Sequence, residues 1–554
     1  MRWGTVALSA WEAQWLNNCQ TSFGTNAGFL VQAESAGTHK TPKFLSNLKL
    51  CMVAALIIGG ATFCLVFTIV PSNSMQHLLA PVSNSGLDLD NAVDIDLVQA
   101  QLLDFLNGEE SVNDTSAFGG SLSSSFDSDI AWDHVIAHAE TIPHGIDTRD
   151  FRTLGNAARS LFLLQRLISD KPESNSPAFN KRLNQTIGSL TEILFPWVSP
   201  TFPTIADMHA TFESAKDPIG FVITGGTRHF FVIQHVILTL RQEFNITLPI
   251  QVFYNGKEDM APEKARFLSM MENVEVEDLM QYFTKETSLG VNWSVKPFAI
   301  LASRFRKVLF LDADNPVEVV TNSSIFRKNG VLFFRDRKLR EHRFISGVKL
   351  FAHMNPHPTQ YARTLGYVNA ESDASLETHG MDSGFIAADK GNMGVLFSLL
   401  LASKMNSREE RSATLYANTY GDKESFWFST ELLRVPYEFN HAFGSALGRL
   451  DEGMSKPGYP IVCGVWLLQT DPSSRNLFYW NGGGVLKNRD AAKVADFEFM
   501  NFTHAAVDYN GVRGGWPAGH CANFTQDGVF ALSNAEQLLM ERYRDIFRHQ
   551  VKEA

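Results

Sequence analysis

The sequence predicts an α/β protein built on a parallel-rich sheet, preceded by one membrane-spanning helix and a polar stem. Three observations carry this. Short apolar strands alternate with helical periods from Ile219 to Leu311, an uncharged run covers Leu50 to Val70, and an acidic triplet, Asp312-Ala313-Asp314, directly follows an apolar strand. Composition sets the outer bounds. At 554 residues, 44% hydrophobic and 19% charged, the chain is long enough for a deep core and is not disordered throughout. A formal charge of -11 argues against a general affinity for phosphate backbones, so nucleic acid is not an expected partner. Five scattered cysteines with no C-x-x-C pair give neither a disulfide scaffold nor a zinc site.

The run LCMVAALIIGGATFCLVFTIV, residues 50–70, is about twenty residues long, which at helical rise matches a hydrocarbon core of roughly 30 Å. It follows a polar segment, unlike a cleaved signal peptide. Lys40, Lys43 and Lys49 precede it, and the next Lys or Arg is Arg149. The positive-inside rule therefore predicts a cytoplasmic tail over 1–49, a signal anchor over 50–70 and everything after it across the membrane. Sequons at Asn113, Asn184, Asn245, Asn292, Asn322, Asn501 and Asn523 fit a lumenal location. There Cys463 and Cys521 either pair or stay as two buried thiols.

Residues 71–150, rich in Ser, Asn, Asp and Gly, read as a lumenal stem, and 151–554 as the lumenal catalytic domain, opening with a helix from Phe151 to Ile168. From Ile219 the strand IGFVIT, the break at Gly225-Gly226 and the helical face Phe230, Ile233, Ile237, Leu240 begin a βαβ grammar. PIQVFY and VLFL supply further strands. In such sheets a ligand binds at the carboxyl ends of the strands.

An Asp-x-Asp triplet alone is weak evidence, since Asp88/Asp90, Asp94/Asp96 and Asp127/Asp129 share the spacing within the expected stem. Only Asp312/Asp314 sits where a buried strand delivers both carboxylates to the ligand edge, able to share a divalent cation that neutralises a departing diphosphate. A haloacid-dehalogenase-type reading is disfavoured by Pro316.

Six blocks in order then resemble the fungal-type Golgi α-mannosyltransferases that build α-1,2- and α-1,3-mannose branches on glycoproteins. They are GFVITGGTRHF, LPIQVFYNGKEDM, KPFAILASRFRKVLFLDADN, DSGFIAADKGNMGVLFSLLLASKMN, YGDKESFWFSTELLRVPYEF and FYWNGGGVLKNR, spanning about Gly220 to Arg489. The resemblance implies a type II Golgi membrane protein with a GT-A-like nucleotide-sugar-binding sheet and flanking helices. It implies transfer of mannose from GDP-mannose to a mannosylated glycan with retention of configuration, Mn2+ or another divalent cation as cofactor, and a complex with other mannosyltransferases. Two departures stand out: Pro316 follows Asn315 one residue early, and Phe334-Arg335-Asp336 replaces the usual Trp-Pro-Asp. A UDP-sugar transferase of the same fold, or a non-catalytic glycan-binding partner of active enzymes, are the competing functions.

Residue roles follow. Gly225 and Gly226 let the backbone pass close to a nucleotide, Arg228 adds charge, and Lys296 meets the diphosphate. Asp312 and Asp314 hold metal and donor. Asp382 of Asp382-Ser383-Gly384 faces the sugar, with Asp422 and Glu424 of GDKESFW as the other catalytic candidates, acting by nucleophilic attack or by stabilising developing charge. The alternative for Asp422 is a helix cap. His441, His504 and His520 are candidates for a third metal ligand, and Trp480 before Asn481-Gly482-Gly483-Gly484 for stacking on a sugar or packing in the core.

Overall fold

The computed structural model describes residues 51–58, 61–68, 93–108, 128–170, 176–198, 201–283, 292–311, 320, 323–337, 345–365, 380–472, 474, 476–480, 502–508 and 521–553. The chain divides into two units, Met1–Ala92 and Val93–Ala554. In the first, Cys51–Ile58 (β1) and Ala61–Thr68 (β2) pair antiparallel with Ile58 opposite Ala61, so the expected spanning helix is replaced by a hairpin. The sequence holds the cause. A Gly-Gly pair between two runs rich in Val, Ile, Phe and Thr is the sequence signal of a two-residue hairpin connection between strands. Among the described residues no helix is long and apolar enough to cross a membrane.

Folded structure in the second unit begins earlier than the expected stem boundary at 150. Helices α1 (Ile95–Asn107) and α2 (Ser128–Thr141) pack into the main core through Leu102, Leu103, Val135 and Ala139. Asp94 caps α1, its carboxylate accepting from the Asp96 and Leu97 amides, while Asp96 lies in a buried ion pair with Arg159. That Asp-x-Asp is therefore structural. Next come α3 (Phe151–Asp170), α4 (Pro177–Leu194) and α5 (Ile205–Glu213), whose apolar faces join the same core.

The central sheet is built from β3 (Ile219–Thr224), β4 (Ile250–Tyr254), β5 (Val274–Asp278), β6 (Lys307–Leu311), β7 (Val331–Arg335) and β8 (Met381–Asp389), in the order β5-β4-β3-β6-β8-β7. Strands β3 to β6 run parallel, and β8 is antiparallel to both neighbours. The parallel-rich α/β expectation is met. The strands are continuous apolar runs because helices cover both faces: α6 (Phe230–Gln242) and α7 (Lys296–Ala302) bury residues in separate clusters with opposite sides of the sheet. The helix α8 (Met393–Met405) is nearly all buried.

After α9 (Lys423–Leu432) comes a second sheet that the sequence reading did not anticipate. It contains β9 (Phe443–Leu450), β10 (Ile461–Thr470), β11 (Leu477–Trp480), β12 (His504–Asp508), β13 (Cys521–Asn523) and β14 (Val529–Ala531), ordered β11-β10-β9-β12-β14 with β13 on β10. Cys463 and Cys521 are opposite one another in that pairing and form a disulfide. Phe478 stacks on Phe334 of the central sheet at 5.2 Å between ring centroids, joining the two sheets.

The last helix, α10 (Asn534–Glu553), docks on α6. His235 of α6 is fully buried, its Nε2 2.9 Å from the Tyr543 carbonyl, and burial lowers its pKa from 6.5 to about 4. Between those values the unfolded chain binds a proton that the folded chain refuses, so stability is lost as pH falls through the window, by about 3 kcal/mol in total. Denaturant titrations at pH 7 and pH 4.5 should therefore show a smaller acid-induced loss in His235→Gln than in the natural chain. Equal losses would show that His235 is not the responsible group.

Candidate functional site

The chain runs outward from β3 through β4 to β5, then returns to place β6 on the other side of β3. The order reverses between β3 and β6, and a crevice at the carboxyl ends of the strands is the geometric consequence. A cavity of about 1040 Å3 lies there, lined by Ile223 and Thr224 from the end of β3, Phe253 and Tyr254 from β4, and Leu311 from β6. The residue after Leu311 is Asp312. Asp312 and Asp314 themselves lie outside the described residues.

Gly225, Gly226, Arg228 and Lys296 all line this cavity. The reason for Gly226 is different from the expected one. A Cβ there would lie 2.0 Å from Asp259 Oδ1 and 2.4 Å from its carbonyl oxygen, so the glycine admits the neighbouring loop rather than a nucleotide. That loop is fixed by the Thr227 amide donating to the Asp259 carbonyl at 2.7 Å and the Asn255 amide to the Asp259 carboxylate at 3.0 Å. Arg228 is exposed at the lip. Lys296, 4% exposed, stands in the wall; its Nζ donates to the Ser383 carbonyl at 3.1 Å and to Ser383 Oγ at 3.3 Å, and lies 5.4 Å from the Phe310 ring centroid.

Lys296 thereby links the cavity to the start of β8, where buried carboxylates gather. Asp382 is 3% exposed; it accepts from the Gly384 amide at 3.0 Å, Gln469 Nε2 at 3.3 Å and the Tyr479 hydroxyl at 2.5 Å. Burial, then the neighbouring Asp336 charge, raise its pKa. It does not line the cavity; its oxygens face the seam with the second sheet. Glu424 accepts from the Gly380 amide at 3.0 Å and from the Trp427 indole N–H, and burial raises its pKa as well. This ties the first turn of α9 to the chain leading into β8. Asp422 is buried near Tyr416, whose pKa is raised by burial and then by that carboxylate. Its side chain makes no cap bond to α9.

Sequence reasoning treated Asp336 only as part of a departure, yet the structure pairs its buried carboxylate with Lys423. The signal was available, since Asp336 follows the apolar strand VLFFR as Asp312 follows KVLFL. Other candidates separate from the site. Trp480 is buried against Tyr543, ring centroids 5.2 Å apart, and packs in the core. His441 is exposed, and His504 sits on β12 with Nδ1 2.9 Å from the Thr503 hydroxyl; neither lines the cavity. His520 lies outside the described residues. Among the described residues no group of three or more His, Cys, Asp or Glu is arranged to hold a metal.

Fold and site together define an α/β protein with a cavity of mixed polar and apolar lining at its switch point. Residues 219–471 match the family described as "Mannosyltransferase putative". That match covers a little under half of the chain. Its relatives include "Putative alpha-1,3-mannosyltransferase MNN14" of Candida albicans, 26% identical over 46% of this chain, and "Alpha-1,3-mannosyltransferase MNN1" of Saccharomyces cerevisiae, 22% identical over 50%. The alignment spans 42% of the length of each relative. Among solved structures, the mannosyltransferase Ktr4p from S. cerevisiae aligns over 43% of this chain and 76% of its own, at 10% identity and a TM-score of 0.25, too slight a likeness to argue from.

Proposed function

We propose that this chain is a GT-A-like α-mannosyltransferase that moves mannose from GDP-mannose to a mannose-bearing glycan with retention of configuration. The observation that carries the reading is the switch-point cavity, with Lys296 in its wall and β6 leading straight into Asp312-Ala313-Asp314, all within the segment that matches the family model. Asp312 and Asp314 would hold Mn2+, whose charge would offset that of the leaving diphosphate. The Lys296 ammonium, kept in place by Ser383, adds fixed positive charge at the same wall, and Arg228 at the lip meets the donor from solvent. Asp382, Asp336 and Glu424 set the electrostatic background behind that wall.

The proposed location is the Golgi membrane, single-pass, with the catalytic domain in the lumen. The Cys463–Cys521 disulfide and the exposed sequon residues Asn184 and Asn245 support the lumenal placement, and the length and lack of charge of the run at 50–70 support membrane attachment as a property of the sequence, the structure pairing its two halves as a hairpin rather than as a spanning helix. The test of function is incubation of the purified chain with Mn2+, a panel of nucleotide sugars and mannoside acceptors, followed by determination of the linkage. GDP-mannose should be consumed with an α-mannosyl product. Transfer from a UDP-sugar alone would replace the donor assignment, and no transfer from any donor would favour a glycan-binding role. N-glycosidase treatment of chain made in a eukaryotic host should also increase its mobility; an unchanged band would remove the sequon support for a lumenal domain.

A further inference from the structure

Two large aromatic side chains stand exposed side by side: Trp293, which lines the cavity, and Tyr420 next to it. Trp293 is 51% exposed and Tyr420 54%, and their ring centroids are 6.0 Å apart with planes inclined by 33°. Water contact on this much ring surface is unfavourable unless something else covers it. The pair is also held in place. Ser294, next to Trp293, is fully buried and accepts from Arg411 Nη1 at 3.0 Å. On the other side Gly421, at φ +79°, lets the backbone lie under the indole: a Cβ there would be 3.2 Å from Trp293 Cε3.

The position of the pair relates it to both halves of the site. Trp293 lines the cavity and lies one turn before Lys296. Tyr420 has the Lys423 ammonium 5.3 Å from its ring centroid, and Lys423 is the partner of Asp336 in the carboxylate cluster beside Asp382. The rings therefore flank the phosphate-side wall and the acidic cluster together. Tyr254, Asn255 and Asp259, at the end of β4 and in the loop after it, also line the cavity.

From this we infer that Trp293 and Tyr420 form the binding platform for the acceptor saccharide, stacking on the C–H face of a mannose ring. A tilted pair with about half of each side chain accessible suits a sugar at the end of a larger glycan. A nucleobase, by contrast, gains most from enclosure between two faces. The inference rests on the proposed function for the identity of the sugar, and on the geometry alone for the location of the platform.

The test uses direct binding as well as turnover. Saturation-transfer NMR with α-mannobiose, in the presence of GDP and Mn2+, should show sugar-ring contacts with the natural chain. These should weaken about tenfold or more in Trp293→Ala and in Tyr420→Ala, and recover in large part in Trp293→Phe and Tyr420→Phe. Melting temperatures of all variants should stay near that of the natural chain, since both rings are already half in water. In the transfer assay the alanine variants should raise the acceptor KM by a larger factor than the donor KM. If the alanine variants bind α-mannobiose like the natural chain, or if donor KM rises and acceptor KM does not, the platform is not the acceptor site. Sugar binding that depends on Trp293, in a chain that transfers nothing, would leave the platform standing and overturn the enzymatic reading.

Discussion

Asp312→Asn and Asp314→Asn should each lower transfer by about two to three orders of magnitude while the protein melts near its original temperature. Each change removes a formal charge at nearly constant shape, at the residues that follow the strand bordering the switch-point cavity. Donor and manganese affinity should fall together, because both would use these carboxylates. Asp88→Asn, at an Asp-x-Asp that follows no apolar strand in the sequence, should leave transfer within about twofold. Transfer that survives in both strand-end variants would remove the metal assignment.

The second large effect is structural. Asp382→Leu should lower stability by roughly 2 to 6 kcal/mol, because the Gly384 amide and the Tyr479 hydroxyl lose this acceptor inside a buried seam, at about 1 to 3 kcal/mol for each unsatisfied group, while Gln469 Nε2 keeps the Arg335 carbonyl. Asp382→Asn keeps one acceptor oxygen and should cost less. The pKa shift gives a sign to the pH dependence. Because the folded carboxyl titrates above its unfolded value of 3.8, its contribution is most favourable below that value and declines as pH rises toward the raised folded pKa. Denaturant midpoints for the three chains check the order natural, Asn, Leu. A turnover loss of two to three orders of magnitude in Asp382→Asn, with unchanged midpoint, would instead restore the sugar-facing role expected from the sequence.

The central sheet was legible because parallel strands buried on both faces leave continuous apolar runs such as IGFVIT and KVLFL, each broken by a distinctive turn or acid. The blocks that resemble the family brought the cavity wall with them, and Gly225, Gly226, Arg228 and Lys296 do line one space. Local pattern could not reveal what depends on partners distant in sequence. The Gly226 environment is created by Asp259, the Lys296 environment by Ser383, and the burial of Asp382 by Gln469 and Tyr479 from a second sheet. The early helices were obscured by composition. A polar surface around Ile95–Asn107 hid Leu102 and Leu103, which reach the core, and the buried pair Asp96–Arg159 looked like stem acidity. At 50–70, hydropathy alone outweighed the local meaning of Gly59-Gly60, and a helix was expected where the chain pairs as a hairpin.

The central claim is that the cavity between β3, β4 and β6 takes a nucleoside diphosphate through a metal held by Asp312 and Asp314 and through Lys296. Calorimetric titration of the purified chain with GDP, with and without Mn2+, addresses it most directly. The account predicts saturable GDP binding that requires Mn2+, falls by at least about tenfold in Asp314→Asn and weakens in Lys296→Met. GDP binding of equal strength without metal, or unchanged in both variants, would contradict it.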